Sequence, residues 1–472
     1  MREPFLDHFF KPQAVAVVGA SPREASIGFT LVNNLKKGGF PGKIYPINPK
    51  HEEILDLKTY ASLAAVQAPI DLAIIAVPIK GAPAILKECG LAQVPGAIII
   101  SAGGKETGVA GAEIEAEIKT AAEQSGVRYL GPNCLGILCP SQRLNASFAG
   151  IEAAPGSLAL LSQSGAICSA ILDWAAVENM GFSHFVSVGS MADINFADMI
   201  DYLGNEEKAS SIIIYMENLV RHRKFMSAAR SVSRVKPIIV VKSGRSRAAA
   251  KAAASHTGAL AGEDETYNAA FRRAGIIRVD TISQLFDCAE ALGKMPRPAG
   301  GRLAVITNAG GLGVMAVDAF SKWHLEPPAL SDATLLALNQ FLPPMWSHAN
   351  PIDLLGDARP EHYLKAVQVC LEAPELQGLV VILSPQSMTD PTAVARALAE
   401  VTSRAKPVIA VWMGGRQVAE GISILIQAGI PTFPTPEEAV DSFMEMYTYS
   451  RNLELLQETP PRLHHDLTVN SK

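Results

Sequence analysis

The 472 residues predict an α/β protein of three units, a Rossmann-like unit followed by two flavodoxin-like units. Three observations carry this. Short apolar runs alternate with helical patterns, as they do when helices cover both faces of a parallel sheet. The chain is too long for one core, and three units of roughly 130 to 170 residues are expected. One strand-and-turn pattern occurs twice in the second half, which reads as a duplication. The expected division is 1–130, 131–297 and 298–457, with a polar tail at 458–472.

In the first unit, Ala14 to Val18 is an apolar strand, and Gly19-Ala20-Ser21 through Gly28 is a loop opening a helix that runs to Lys37. Further strands are expected at Lys43 to Ile47, Leu72 to Val77 and Gly96 to Ile100. Ligands of such sheets sit beyond the carboxyl ends of the strands. The turns there are Gly19-Ala20-Ser21, Asn48-Pro49-Lys50, Val77-Pro78 and Ser101-Ala102-Gly103-Gly104. Small residues and N–H groups at a helix start suit a phosphate-bearing nucleotide. The loop departs from G-x-G-x-x-G, which weakens a dinucleotide reading. A purely structural role for these turns stays open.

The unit closes near Gly131-Pro132-Asn133-Cys134, and the repeated pattern follows. Leu158 to Leu161 leads into Ser162-Gln163-Ser164-Gly165; Leu303 to Ile306 leads into Thr307-Asn308-Ala309-Gly310-Gly311. Ala192 to Asn195 is matched with Asn350 to Asp353, and strand Ser211 to Tyr215 with Leu379 to Leu383. Lys236-Pro237 is echoed by Lys406-Pro407, and Ala274-Gly275-Ile276 by Ala428-Gly429-Ile430. Each glycine turn would aim N–H groups from the positive end of a helix. Two such ends facing one point would hold a phosphoryl group without a metal. Either turn alone reads equally well as a packing corner.

The copies differ in length. From Pro237 to Gly275 the chain advances 38 residues, from Pro407 to Gly429 only 22, and the surplus of 16 falls around Ser255-His256-Thr257-Gly258. The run before it, Arg245 to Ala254, is Ala-rich and basic, buries little surface, and is expected on the outside. Alone, His256 reads as a bystander at a helix start. On a loop added to one copy only, it reads as a working residue.

Composition narrows the function. Apolar content of 48% against 18% charged is that of a globular protein, and a net charge of −5 without a long basic run disfavours nucleic acid and anionic membranes as partners. Met1 to His8 has no secretory h-region, and no apolar run reaches the ~18 residues that span a bilayer, so a cytoplasmic protein is expected. The six cysteines lack any C-x-x-C pair and read as reduced core residues, with neither zinc nor disulfides. His464-His465 in the tail is a weak metal signal, and no metal site is expected.

On these motifs, Ser255-His256-Thr257-Gly258 first, then Gly19 to Gly28, Gly131-Pro132-Asn133 and Ser162-Gln163-Ser164-Gly165, the chain resembles the α subunit of the ADP-forming acetyl-CoA synthetases. These acetate–CoA ligases belong to the superfamily of nucleoside-diphosphate-forming acyl-CoA synthetases that includes succinyl-CoA synthetase. The resemblance covers residues 5 to 455. It implies CoA binding by the first unit, around Gly19, Ala20, Ser21, Gly28, Asn48, Lys50, Val77, Pro78 and Asn133. It implies a phosphorylated His256 steadied by Glu217, with phosphate held by Ser162 to Gly165 and by Asn308, Ala309, Gly310 and Gly311. Read without it, Glu217 is as well a surface acid at a strand's end. No part of the chain is left to supply an ATP-grasp unit, so the resemblance implies a separate β subunit carrying ADP/ATP and Mg2+, in an α2β2 heterotetramer. Two other readings remain at this point: a non-catalytic CoA- or acyl-CoA-binding regulatory module, and a Rossmann oxidoreductase. Retention of His256, Glu217 and both glycine turns disfavours the first, and the missing G-x-G-x-x-G the second.

Overall fold

Every side chain of strand β1 (Ala14–Val18) is buried, and β1 is an interior strand of the first of three large sheets in the computed structural model. The structure describes residues 5–178, 180–246, 248–249, 263–401 and 405–458. β1 pairs in parallel with β2 (Lys43–Ile47), and a short hairpin, β3 (Glu53–Ile54) with β4 (Leu57–Lys58), follows. β5 (Leu72–Ile75), β6 (Gly96–Ile99) and β7 (Arg128–Leu130) complete a sheet of order β2-β1-β5-β6-β7. The strands end one or two residues earlier than expected at Val77 and Ile100, where the backbone turns into the loops described below.

The second sheet starts with an antiparallel pair, β8 (Gly136–Cys139) and β9 (Leu144–Ser147). Its parallel part comprises β10 (Pro155–Ser162), β11 (Phe182–Ser187), β12 (Ser211–Met216), β13 (Ile238–Lys242) and β14 (Ile277–Val279), in the order β14-β13-β12-β10-β11-β8-β9. The third has β15 (Leu303–Thr307), β16 (Ile352–Asp353), β17 (Gly378–Leu383), β18 (Val408–Trp412) and β19 (Thr432–Phe433), in the order β16-β15-β17-β18-β19. Numbered within each unit, all three parallel sheets run 2-1-3-4-5, the flavodoxin-type order.

The duplication extends to hydrogen bonds. Ser162 Oγ accepts the Ser164 N–H (3.1 Å) and donates to the Ser164 carbonyl (3.0 Å); Thr307 Oγ1 does the same with Ala309 (3.0 and 3.1 Å). Lys236 Nζ donates to carbonyls at the end of helix Phe196–Asn205, those of Leu203 (2.7 Å) and the following Glu206. Lys406 Nζ donates to the carbonyls of Cys370 and Ala373 at the end of helix Pro360–Glu372. The copies match less simply at the second strand. Ile352-Asp353 is strand β16, but Ala192 to Asn195 is a loop ending in the cap of helix Phe196–Asn205, and the strand in that sheet position is β11. With Ser183 and His184 buried inside it, β11 lacks the unbroken apolar run that marked its neighbours.

One core runs through the first two units, joining Phe9, Phe10 and Val17 to Met199, Ile200 and Ile214. The long C-terminal helix Pro436–Gln457 buries Phe443 in the third unit's core but Tyr449 and Leu453 in the second's, and Tyr449 donates to the Ser233 carbonyl (2.8 Å). All six cysteines are buried and unbridged. Among the described residues no helix is long and apolar enough to cross a membrane.

Candidate active site

In a 2-1-3-4-5 sheet the first and third strands send their crossovers to opposite faces, which opens a crevice beyond their carboxyl ends. In the first unit these strands are β1 and β5. Gly19 directly follows β1 with φ +91°, and a Cβ there would meet the Ala76 carbonyl oxygen at 2.6 Å and Val77 Cγ1 at 3.0 Å, so only glycine lets the two strand ends close up. A Cβ on Gly28 would lie 2.0 Å from the Gly19 carbonyl oxygen, so the helix Ile27–Lys37 starts directly against the turn. Ser26 caps that helix by accepting the Phe29 N–H (3.2 Å). Asn48 Nδ2 donates to the Ala20 carbonyl (2.7 Å) while its Oδ1 accepts the Lys50 N–H (2.8 Å). Ser101 Oγ donates to the Val77 carbonyl. Gly19, Ala20, Gly28, Asn48 and Val77 are thus assembled at one edge; Ser21 and Pro78 adjoin them in the chain, and Lys50 is exposed.

In the second unit the corresponding strands are β10 and β12, and they bring Gln163 to Glu217. Gln163 Oε1 accepts the N–H groups of Glu217 (2.6 Å) and Asn218 (2.9 Å), and its Nε2 donates to Asn218 Oδ1 (3.1 Å). The Gln163 side chain is therefore committed to fixing the loop after β12, and the turn's own N–H groups are used too, Gln163 bonding the Tyr215 carbonyl (3.3 Å) and Ser164 bonding Ser162 Oγ (3.1 Å). Ser164 Oγ caps the helix Gly165–Val177 on the Ile167 N–H (3.3 Å), and the preceding N–H groups of Gly165 and Ala166 have no carbonyl one turn back to bond.

Glu217 is buried, with 8% of its surface exposed. Burial pushes the phenol of Tyr215 up, and the Glu217 carboxylate adds to the rise. Lys242, at the end of β13 and only 2% exposed, lies with its ammonium 4.6 Å from the ring centre of Tyr267. Burial lowers its pKa; Asp264 and Glu217 favour the charged form, while Arg278 opposes it.

The cleft at Glu217 lies between the first two units and encloses about 50 Å³. Gln163, Gly189, Ser190, Glu217 and Asn218 line it from the second unit, and Lys105, Glu106 and Asn133 come from the N-terminal side. Asn133 therefore faces this cleft together with Glu217. Neither Lys105 nor Glu106 stood out in the sequence, since both follow the glycine pair of the turn after β6 and only the packing of the units brings them across.

Asn308 is 2% exposed and plays in the third unit the part Gln163 plays in the second: its Oδ1 accepts the Ser384 N–H (2.9 Å) and its Nδ2 donates to Thr389 Oγ1 (3.1 Å). Asn308, Ala309, Gly310 and Gly311 do not line the Glu217 cleft; their turn lies at the carboxyl edge of the third sheet. Ser255-His256-Thr257-Gly258 falls outside the described residues, as does the tail from 459. The flanks of the His256 segment are described, and they converge. Asp264 Oδ1 accepts from Arg278 (2.5 Å), its Oδ2 lies 3.9 Å from Arg245 Nε, and Arg245 also pairs with Asp280.

Three sequence-family models match: a CoA binding domain over residues 13–140, a succinyl-CoA ligase like flavodoxin domain over 155–292 and a Ligase-CoA domain over 303–457. The α subunit of the ADP-forming acetate–CoA ligase I of Pyrococcus furiosus is 40% identical over 457 residues, covering 94% of this chain and 98% of the relative. The ADP-forming 4-hydroxybutyrate–CoA ligase of Nitrosopumilus maritimus is 34% identical over 446 residues, 93% of this chain but 63% of that longer protein. The acetyl-coenzyme A synthetase 1 of Ca. Korarchaeum cryptofilum, solved in complex with phosphate and ADP, superimposes with a TM-score of 0.89 at 38% identity, covering 96% of this chain and 98% of that one. The chain belongs to the family of ADP-forming acetate–CoA ligase α subunits.

Proposed function

We propose that this chain is the α subunit of a nucleoside-diphosphate-forming acyl-CoA synthetase, interconverting acyl-CoA, ADP and phosphate with a carboxylic acid, CoA and ATP. The observation that carries this reading is the cleft where Glu217 meets Lys105, Glu106 and Asn133, a single site built by the CoA-binding unit and the unit that bears His256.

CoA would lie along the carboxyl edge of the first sheet at Gly19, Ala20, Ser21, Gly28, Asn48, Lys50, Val77 and Pro78, its phosphates toward the start of helix Ile27–Lys37. In the cleft a phosphate oxygen attacks the thioester carbonyl. The carbon–sulfur bond breaks, acyl phosphate forms, and CoA leaves as the thiol with the phosphate's proton. A ring nitrogen of His256 then attacks phosphorus, displacing the carboxylate. The Glu217 carboxylate orients the other ring nitrogen and stabilises the imidazolium that develops. N–H groups at Gly165 and Ala166 face the phosphoryl charge, with the Ser162 to Gly165 turn as their support. The phosphohistidine finally passes its phosphoryl group to ADP.

Asn308 to Gly311 would serve the phosphoryl group at a second station, away from the Glu217 cleft. The nucleotide and Mg2+ belong on an ATP-grasp β subunit in an α2β2 assembly, and the protein works in the cytoplasm. The same reading divides the chain at 130/131, 297/298 and 457/458; in its support, β8 at Gly136–Cys139 already pairs with the second sheet.

Labelling with radioactive phosphate in the presence of acetyl-CoA, on the full chain with its β partner, tests the reading. Acid-labile, alkali-stable label on the parent and none on His256→Ala, with CoA affinity kept within about threefold because the loop is not part of the CoA edge, is expected. Absence of label on the parent would refute the phosphohistidine.

A further inference from the structure

The residues lining the Glu217 cleft carry two carboxylates, Glu106 and Glu217, and one cation, Lys105. A phosphoryl dianion cannot enter between two carboxylates without a counter-charge. Lys105 is the side chain among the lining residues that can supply it.

The loop is built to hold that lysine in place. Glu106 Oε1 accepts the N–H groups of Gly103 (2.7 Å) and Gly104 (3.1 Å), and Glu115 Oε1 accepts the N–H of Lys105 itself (3.0 Å). A Cβ on Gly104 would meet Glu115 Oε1 at 2.3 Å, so the loop lies flat against helix Val109–Ser125. From this base Lys105 Nζ reaches across the unit boundary and donates to the Ser190 carbonyl (3.0 Å). Ser190 is held from the other side as well, its N–H bonding the Pro132 carbonyl (2.9 Å). An ammonium has three donors, and this bond uses one. Glu106 Oε2 is buried and has no hydrogen-bond partner among the described residues.

We propose that Lys105, supplied by the CoA-binding unit, binds the phosphoryl group in the Glu217 cleft and neutralises its charge during acyl-phosphate formation. The inference rests on the reading of the preceding subsection. Lys105 contacts the phosphate, a catalytic role, and Glu106 is a positioning residue that fixes the loop. The Ser190 bond ties the Lys105 loop to the second unit, so the phosphate site is assembled from residues of both units.

Two measurements on the full chain with its β partner test this: titration with inorganic phosphate alone, and steady-state kinetics in the acyl-CoA-cleaving direction. Lys105→Met should weaken phosphate binding and raise the phosphate KM by about tenfold or more, the loss of one charge-assisted hydrogen bond, while the acyl-CoA KM stays within about twofold. Lys105→Arg should recover most of the phosphate affinity, which a lysine serving only as a strut would not require. Equal phosphate binding by the parent and Lys105→Met overturns the proposal, as does a parent that binds no phosphate. Failure of the underlying reading shows itself separately, as a parent that binds phosphate and acyl-CoA but never carries label on His256.

Discussion

Glu217 and Gln163 show how one side chain's hydrogen bonds place another's charge. Gln163 accepts two successive N–H groups, those of Glu217 and Asn218, which fixes the backbone from which the Glu217 carboxylate extends. Neighbouring charge is close, since Lys242 is buried at the end of the adjacent strand. Replacing the carboxylate by an amide keeps the volume and removes the charge that would stabilise an imidazolium. Glu217→Gln should therefore lower phosphohistidine yield by about tenfold to a hundredfold at unchanged CoA affinity, measured by the labelling experiment; unchanged labelling removes Glu217 from the chemistry. That Glu217 faces a cleft was not legible in the sequence, where an acid after a strand is as well a solvated charge. What distinguishes it is the contact with Gln163, 54 positions away.

Among elements, the Lys-Pro pairs that open β13 and β18 have one job in both copies. Each lysine lies where a helix ends and donates to its last carbonyls, groups with no partner inside the helix and the negative end of its dipole. Proline follows, immediately before each strand, where it offers its carbonyl to the neighbouring strand (Ile212 and Leu379 N–H) and no N–H is needed. Both ammonium groups have their pKa lowered by burial, the cost of holding them under the helix. Lys236→Met and Lys406→Met should each destabilise the chain by about 1 kcal/mol, read as a lower denaturant midpoint at unchanged slope, and the effects should add because the sites lie in different units.

At the scale of the whole molecule, the second and third units are locked by helix Ile282–Lys294 against helix Pro436–Gln457, and the contact is acidic. Asp441 accepts from Lys322 (2.6 Å), Trp323 (2.7 Å) and Gln284 (3.4 Å). Asp287 is pushed up to about 7, first by burial and then by Glu438, Glu290 and Glu178, against a hydrogen bond from Ser283. Glu445, 4% exposed, is raised well above the usual carboxylate range by burial and by Asp441 and Asp287. A carboxyl whose folded pKa lies above its unfolded value holds a proton that the unfolded chain has released. Stability therefore falls as pH rises from about 4 through about 7, and levels off for Asp287 above that. Asp287→Asn should flatten this slope and raise Tm at pH 8 by about 2–4 °C, with little change at pH 4, as followed by thermal denaturation.

The sequence by itself determined the three α/β units, the duplication of the last two, the glycine turns and the surplus segment around His256. Each is written in local periodicity, or in a comparison of one stretch with another, and needs no knowledge of what lies across a sheet. It did not reveal β8, β9 or β11: β8 is only four residues long, and β9 and β11 carry buried polar residues, Asn145 and Ser147 in one and Ser183 and His184 in the other, that break the apolar pattern. Only the tertiary structure decided that Asn133, Lys105 and Glu106 face Glu217, that the side chains of Gln163 and Asn308 are consumed in bracing their own loops, and that the third unit's glycine turn stands apart from this cleft. The first and last are consequences of how the units pack, and the bracing is a consequence of how each sheet brings the ends of its first and third strands together. A residue's reach across a unit boundary depends on crossover direction and loop shape at many positions at once, which no single stretch of sequence records.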